Sequence, residues 1–216
     1  MNIGKPEGPR AAASPAEQEA WSKYFDYLIK SLNDPDTNAR LRAAQMLGEN
    51  REPRAIEPLC AALFDPDVEV RKHAITALGR MGPLATEALI TAQQNPDPLV
   101  RQSATQALGQ IHDARVVGSL VMAMRDPHER VRSQAAFALN KLGVLAVEPL
   151  MAALRDPDPN LRWQAARILG GLGDARALPE LERLAHEDRA QTRGTSSLVN
   201  VADAAKQAME KIKSKK

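Results

Sequence analysis

The sequence predicts an all-α fold, an α-α superhelix of about six antiparallel helix pairs, on three observations. One block of sequence recurs five times along the chain. A shorter apolar segment follows every block, and segments of different character close the two ends.

The block reads DPDTNARLRAAQMLG from Asp34, DPDVEVRKHAITALG from Asp65, NPDPLVRQSATQALG from Asn95, DPHERVRSQAAFALN from Asp126 and DPDPNLRWQAARILG from Asp156. Pro35, Pro66, Pro96, Pro127 and Pro157 lie 31, 30, 31 and 30 residues apart, and Arg40, Arg71, Arg101, Arg132 and Arg162 keep step with them. A period of about 30 residues marks stacked supersecondary units that bury one continuous core.

Each block opens a helix. Asp36, Asp67, Asp97 and Asp158 stand where a side-chain oxygen caps the first free amides, and Pro98 and Pro159 follow at the first helical position, which tolerates proline. Val70, Ala74, Ala77, Leu78 and their counterparts then recur at three- and four-residue spacing, one apolar stripe per helix. The alanines permit close helix approach.

The intervening segments are AIEPLCAALF from Ala55, LATEALITAQ from Leu84, RVVGSLVMAM from Arg115, LAVEPLMAAL from Leu145 and RALPELERLA from Arg176. Each reads as a shorter helix, the first of a pair whose second, antiparallel member is the block helix that follows. In the turns, Arg54, Arg115 and Arg176 alternate with Leu84 and Leu145, so the sequence unit is a pair of repeats about 61 residues long.

Ser14, Pro15 and Glu17 form a capping-box signature before a helix that presents Trp21, Phe25, Leu28 and Leu32 on one face. Trp21, Tyr24, Phe25 and Tyr27 are four of the chain's seven aromatics and are expected to seal the end of the core. These signals predict a tail at 1–13 and one solenoid over 14–213, with helix pairs near 14–49, 53–80, 84–110, 114–142, 145–171 and 175–213. A loop is expected at about 187–198, a basic tail at 214–216, disorder in both tails, and no strand.

The 216-residue chain carries 29 Lys and Arg against 27 Asp and Glu, a formal net charge of +2. That near balance is unlike a dedicated nucleic-acid binder. The single cysteine, Cys60, excludes an intrachain disulfide and suits a reducing compartment. No signal peptide and no run of about 18 apolar residues is present, so a cytoplasmic protein without a membrane span is expected.

The D-P-D-x-x-V-R-x-x-A-x-x-A-L-G block resembles the HEAT-like repeat of the phycobilin-lyase type, roughly from Leu28 to Ala185, with the last helix a degenerate copy. The resemblance implies a general binding scaffold, in a family that includes the E/F-type phycobilin lyases, with the second helix of each pair lining a concave surface. Arg71 and its equivalents are then structural, bonding an Asp or a helix-end carbonyl of the adjoining repeat.

Some proteins of this kind are di-iron hydroxylases similar to deoxyhypusine hydroxylase, with His-Glu pairs on inner helices. Here the pairs His128-Glu129 and His186-Glu187 fall at the start of a second helix and the end of a first helix, so they share no column. His73 and His112 lack a carboxylate partner at ligand spacing. Cys60 lies in the apolar face of EPLCAAL, where a buried, inert thiol is expected. No catalytic residue, metal site or cofactor is assigned.

Positions one, two, five and nine after the recurring arginine are expected to face outward and vary between copies. They are Leu41, Arg42, Gln45 and Glu49; Lys72, His73, Thr76 and Arg80; Gln102, Ser103, Gln106 and Gln110; Ser133, Gln134, Phe137 and Lys141; Trp163, Gln164, Arg167 and Gly171. This set holds five fixed positive charges, Arg42, Lys72, Arg80, Lys141 and Arg167, against one negative, Glu49. Together with His73, Gln106, Gln134, Phe137, Trp163 and Gln164, those cations form the expected partner-binding residues.

The expected function is a noncatalytic protein-binding scaffold whose mildly basic, Gln-rich concave face takes an acidic or amide-rich protein or peptide. Two alternatives stand beside it. One is chromophore attachment or chaperoning like the phycobilin lyases, which rests on the resemblance alone. The other is nucleic-acid binding through the basic concavity, disfavoured by the overall charge. Phe137 and Trp163, on successive second helices, are expected to be near neighbours, with Arg167 stacked on the indole.

Overall fold

The computed structural model describes residues 14–193 and 198–214. The expected tail at 1–13, residues 194–197 of the expected loop and the last two lysines lie outside the described residues. The chain divides into two compact units, Met1–Gln110 and Ile111–Lys216, each built from three helix pairs in chain order.

The first unit pairs α1 (Pro15–Ser31) with α2 (Thr37–Asn50), α3 (Ile56–Ala61) with α4 (Val68–Met81), and α5 (Thr86–Ala92) with α6 (Pro98–Leu108). The second pairs α7 (Arg115–Ala123) with α8 (Glu129–Leu142), α9 (Val147–Ala153) with α10 (Pro159–Leu172), and α11 (Leu178–Glu187) with α12 (Val201–Ser214). Second helices pack side by side, α2 on α4 and α4 on α6 in one unit, α8 on α10 and α10 on α12 in the other.

Every turn inside a pair has the same construction. The first residue of the block folds its side chain over the proline to accept the amide two residues on: Asp34 from Asp36, Asp65 from Asp67, Asn95 from Asp97, Asp126 from His128, Asp156 from Asp158, at 2.8–2.9 Å. The third residue then caps the helix, Asp36 to Asn38, Asp67 to Glu69 and Val70, Asp97 to Leu99, Asp158 to Asn160. His128 occupies the cap position of α8 without a side-chain bond.

The recurring arginine closes the same turn. Its Nη1 donates to the carbonyls of the first two block residues in all five copies, at 2.6–3.2 Å. The partners are therefore chiefly the arginine's own loop, where the sequence suggested the adjoining repeat. Arg40 and Arg162 do both: Arg40 also holds Asp65 bidentately at 2.7 and 3.1 Å, and Arg162 holds Asp188 at 2.6 Å.

Asp188 is a sixth copy of the turn that the sequence pattern did not reveal, its carboxylate accepting the Ala190 amide at 2.8 Å. The chain then departs into a short antiparallel ribbon, β1 (Gln191–Arg193) with β2 (Leu198–Asn200), Thr192 opposite Val199. This corrects the expectation of no strand: the expected loop is in part a hairpin. The Val201 amide returns to the Ala190 carbonyl at 3.2 Å, and Asn200 accepts the Ala202 amide at 2.8 Å at the start of α12. The ribbon is thus an insertion in a loop whose two ends remain joined.

The turns between pairs explain the two-repeat alternation. At Glu52-Pro53-Arg54, Asp113-Ala114-Arg115 and Asp174-Ala175-Arg176 the acid accepts the arginine's amide and bonds its guanidinium as well. In the other turns no acid-arginine pair occurs, and Gly82 and Gly143, at φ of +59° and +60° with ψ of −134° and −123°, carry the chain out of the helix, a conformation in which a Cβ is strained. Arg51 and Gly173, ahead of two of the acid-arginine turns, are left-handed helical instead.

The apolar stripe lies where the period places it. Val70, Ala74, Ala77 and Leu78 are buried, as are their counterparts on α6, α8 and α10, while on α2 Ala43 and Leu47 are buried and Ala39 and Met46 half-buried; Trp21, Tyr24 and Phe25 cluster on α1 with ring centroids 5.4–5.8 Å apart. Tyr27 is only half-buried. The segment Glu129–Ala153 is long and apolar enough by composition to cross a membrane, although Asn140, Lys141 and Glu148 interrupt its apolar run. It is not one rod, because α8 stops at Leu142 and the chain turns at Gly143 before α9 begins.

Thr86 is fully buried, and its hydroxyl has no hydrogen-bond partner among the described residues. Val147 holds the equivalent, buried position 61 residues later. Replacing an unpaired buried hydroxyl by a methyl of the same shape removes a desolvation cost, so Thr86→Val is expected to stabilise by about 1 kcal/mol. Thermal melts should show a rise of about 2–4 °C; a fall would mean that the hydroxyl has a partner.

Candidate partner-binding face

The outward positions divide by their place around the helix. Residues five and nine after the arginine are mostly exposed, among them Gln45, Glu49, Thr76, Arg80, Phe137, Lys141 and Arg167. Residues two after it are more covered, Arg42 excepted: His73, Gln134 and Gln164 are half-buried and Ser103 is 4% exposed. The expectation that Ser103 faces outward is corrected. Its position turns into the seam that α6 shares with α4.

In the first unit, Arg42 is exposed and donates to the Asn38 carbonyl at 3.2 Å. Lys72 is exposed but paired with Glu69 at 2.7 Å, and the half-buried His73 places Nδ1 2.9 Å from the Glu69 carbonyl. Gln45 donates to Glu49 at 2.9 Å. Arg80 is exposed and Gln106 half-buried.

In the second unit the structure forms a groove of about 570 Å³ between α8 and α10. Ser133, Ala136 and Asn140 form one wall, and Trp163, Gln164, Arg167 and Ile168 the other. The Arg167 guanidinium stands 4.6 Å from the Trp163 ring centroid, a cation–π contact, as the four-residue spacing predicts. Gln164 donates to the Met124 carbonyl at 3.0 Å and so also braces the end of α7.

Phe137 does not join this set. It is 65% exposed, it does not line the groove, and no ring contact with Trp163 occurs among the described residues. The expected aromatic pair is corrected: Phe137 follows Ala136 and projects about 100° further round the helix, away from the seam.

Sequence reasoning passed over the residues that open the groove. Elsewhere the block ends in Gly, and a methyl placed on Gly48 would fall 2.5 Å from Ala77, one on Gly170 2.7 Å from the Ala208 backbone. Those helix pairs touch through glycine and alanine. Between α8 and α10 both close-approach positions are enlarged, Asn140 standing for glycine and Ile168 for alanine, and both line the groove. The signal was the lone Asn that ends the fourth block.

The perturbed carboxylates belong to the turns. Burial raises Asp65 and Asp188, but the guanidiniums of Arg40 and Arg162 and the amides of Asp67 and Ala190 outweigh it and leave both below the usual range. Asp113 is lowered by Arg115, Asp174 by Arg176, and Glu180 is held at about 2 chiefly by Arg155. Cys60 is half-buried rather than buried, yet burial pushes its thiol up to about 12. His128-Glu129 and His186-Glu187 lie at the start of α8 and the end of α11. Among the described residues no three His, Cys, Asp or Glu side chains gather as a metal site.

A profile described as HEAT repeats matches residues 25–90, 86–145 and 123–199. No curated protein matches the chain. Similar solved structures include a designed armadillo repeat protein in complex with peptide (KR)4, 20% identical over 87% of this chain and 99% of that one, with a TM-score of 0.43. The complex of CpcE and CpcF of phycocyanin lyase from Nostoc sp. PCC7120 is 23% identical over 87% and 94%, TM-score 0.37. The archaeal HEAT-like repeats protein from Thermococcus onnurineus NA1 is 15% identical over 89% and 88%, TM-score 0.39. With the profile spanning most of the chain and the repeated turns, caps and stripe in place, this protein belongs to the HEAT-repeat family.

Proposed function

We propose that the protein is a noncatalytic scaffold that binds another protein through the exposed face of its second helices. One observation carries this reading. The residues that recur in every copy are engaged internally, the aspartates in turns and caps, the arginines on loop carbonyls, the apolar stripe in the core. What the second helices offer to solvent is the part that varies between copies, and in repeat proteins that variable surface is where partners are distinguished. The shifted carboxylates of the turns support the same reading, since each answers to a neighbouring arginine instead of gathering in a cleft.

Trp163 is the anchor of the proposed face, a half-buried aromatic with a polar surround. Trp163→Ala is expected to weaken partner binding by about 2 kcal/mol or more while leaving the melting temperature nearly unchanged. Affinity capture with the wild-type chain and the variant side by side measures the first, thermal melts the second. A variant that binds normally and melts much earlier would place Trp163 in the core and sink the site.

A further inference from the structure

We infer that the groove between α8 and α10 holds an extended peptide segment with a basic side chain at one end, an acidic one at the other, and an apolar residue between them over Trp163. The inference rests on the protein-binding reading above and gives its partner a charge pattern, one that a uniformly acidic partner would not meet.

The groove has two unlike ends. Where both helices begin, the exposed Glu129 and the half-buried Asp158 line it. The two arginines at that end are engaged, Arg125 with Asp156 and Arg132 with the carbonyls of Asp126 and Pro127. Toward the other end lies the exposed Arg167, with exposed Lys141 on α8 just past Asn140. No acidic residue follows Glu129 in α8, and α10 contains none. Cation recognition at one end and carboxylate recognition at the other is therefore the complementary pattern.

Spacing selects the conformation. Asp158 and Arg167 are separated by about 13 Å of helix rise, which an extended chain covers in about four residues. Trp163 lies midway. Four or five residues wound as a helix rise only about 6–7.5 Å, half of that distance, whereas the same residues extended span it. The enlarged pair Asn140 and Ile168 replaces the glycine-alanine contact that closes the seams at Gly48 and Gly170, so the space comes from departures from the repeat rule.

The test uses the full chain and three blocked, fluorescently labelled peptides: Lys-Ala-Leu-Ala-Glu and its two like-charged relatives, with Glu or with Lys at both ends. Anisotropy titration at low salt is expected to show the mixed peptide binding about tenfold tighter than either relative, with the difference shrinking as salt rises. Arg167→Glu, at an exposed site, should transfer the preference to the doubly basic peptide, with circular dichroism melts showing an intact fold. Equal binding of all three, preference for the doubly acidic peptide, or indifference to Arg167→Glu overturns the inference. If no peptide binds while partner capture still depends on Trp163, the charge pattern falls and the scaffold reading stands.

Discussion

Leu78→Ala is expected to destabilise the protein by about 2 to 5 kcal/mol. Leu78 is fully buried on α4, beside Ala74, Ala77 and Ile75, all of them buried. Losing its side chain removes apolar burial and leaves a cavity that helices in contact through Gly48 and Ala77 have little freedom to fill. Because repeats lean on their neighbours, the loss should concentrate around α4. Urea unfolding measures the magnitude, and amide exchange should show protection falling first in α2, α4 and α6. A loss under about 0.5 kcal/mol would mean that the stripe is misassigned.

Asp65→Ala is expected to cost about 3 kcal/mol, because it leaves the Arg40 guanidinium without its counter-charge at a site where both side chains are largely covered, 12% and 7% exposed. It also removes the acceptor of the Asp67 amide. The exposed pair of Lys23 and Glu19 is the control, and Glu19→Ala should leave unfolding unchanged. Acid should act on the same interactions. Asp65 and Asp188 have folded values below their ordinary 3.8, and Glu180 falls from 4.5 to about 2. A lowered carboxylate contributes stability above its unfolded value and loses it as pH falls through the folded one. Urea midpoints should therefore hold from pH 7 to about 5 and drop from about pH 4 toward pH 2, less steeply in Asp65→Asn. A midpoint that rises below pH 4 would contradict the assigned ion pairs.

What the sequence determined by itself was everything governed by local periodicity. Asp36, Asp67, Asp97 and Asp158 announced helix starts because capping depends on residues two or three apart. Leu78 and its counterparts announced the core because a helix returns to one face every 3.6 residues. The alternation at Arg54 and Leu84 was equally visible, but its cause, an acid-arginine turn against a glycine turn, needed the backbone angles at Gly82 and Gly143. Asp188 escaped because the ribbon after it separates the turn from its helix, and only the bond from Val201 to Ala190 restores the register. Whether Phe137 or Asn140 faces α10, and whether Ser103 reaches solvent, depends on which sides of neighbouring helices meet. That choice belongs to the packing of one helix against the next, where the size of one side chain at a contact, glycine or asparagine, decides between a closed seam and a groove.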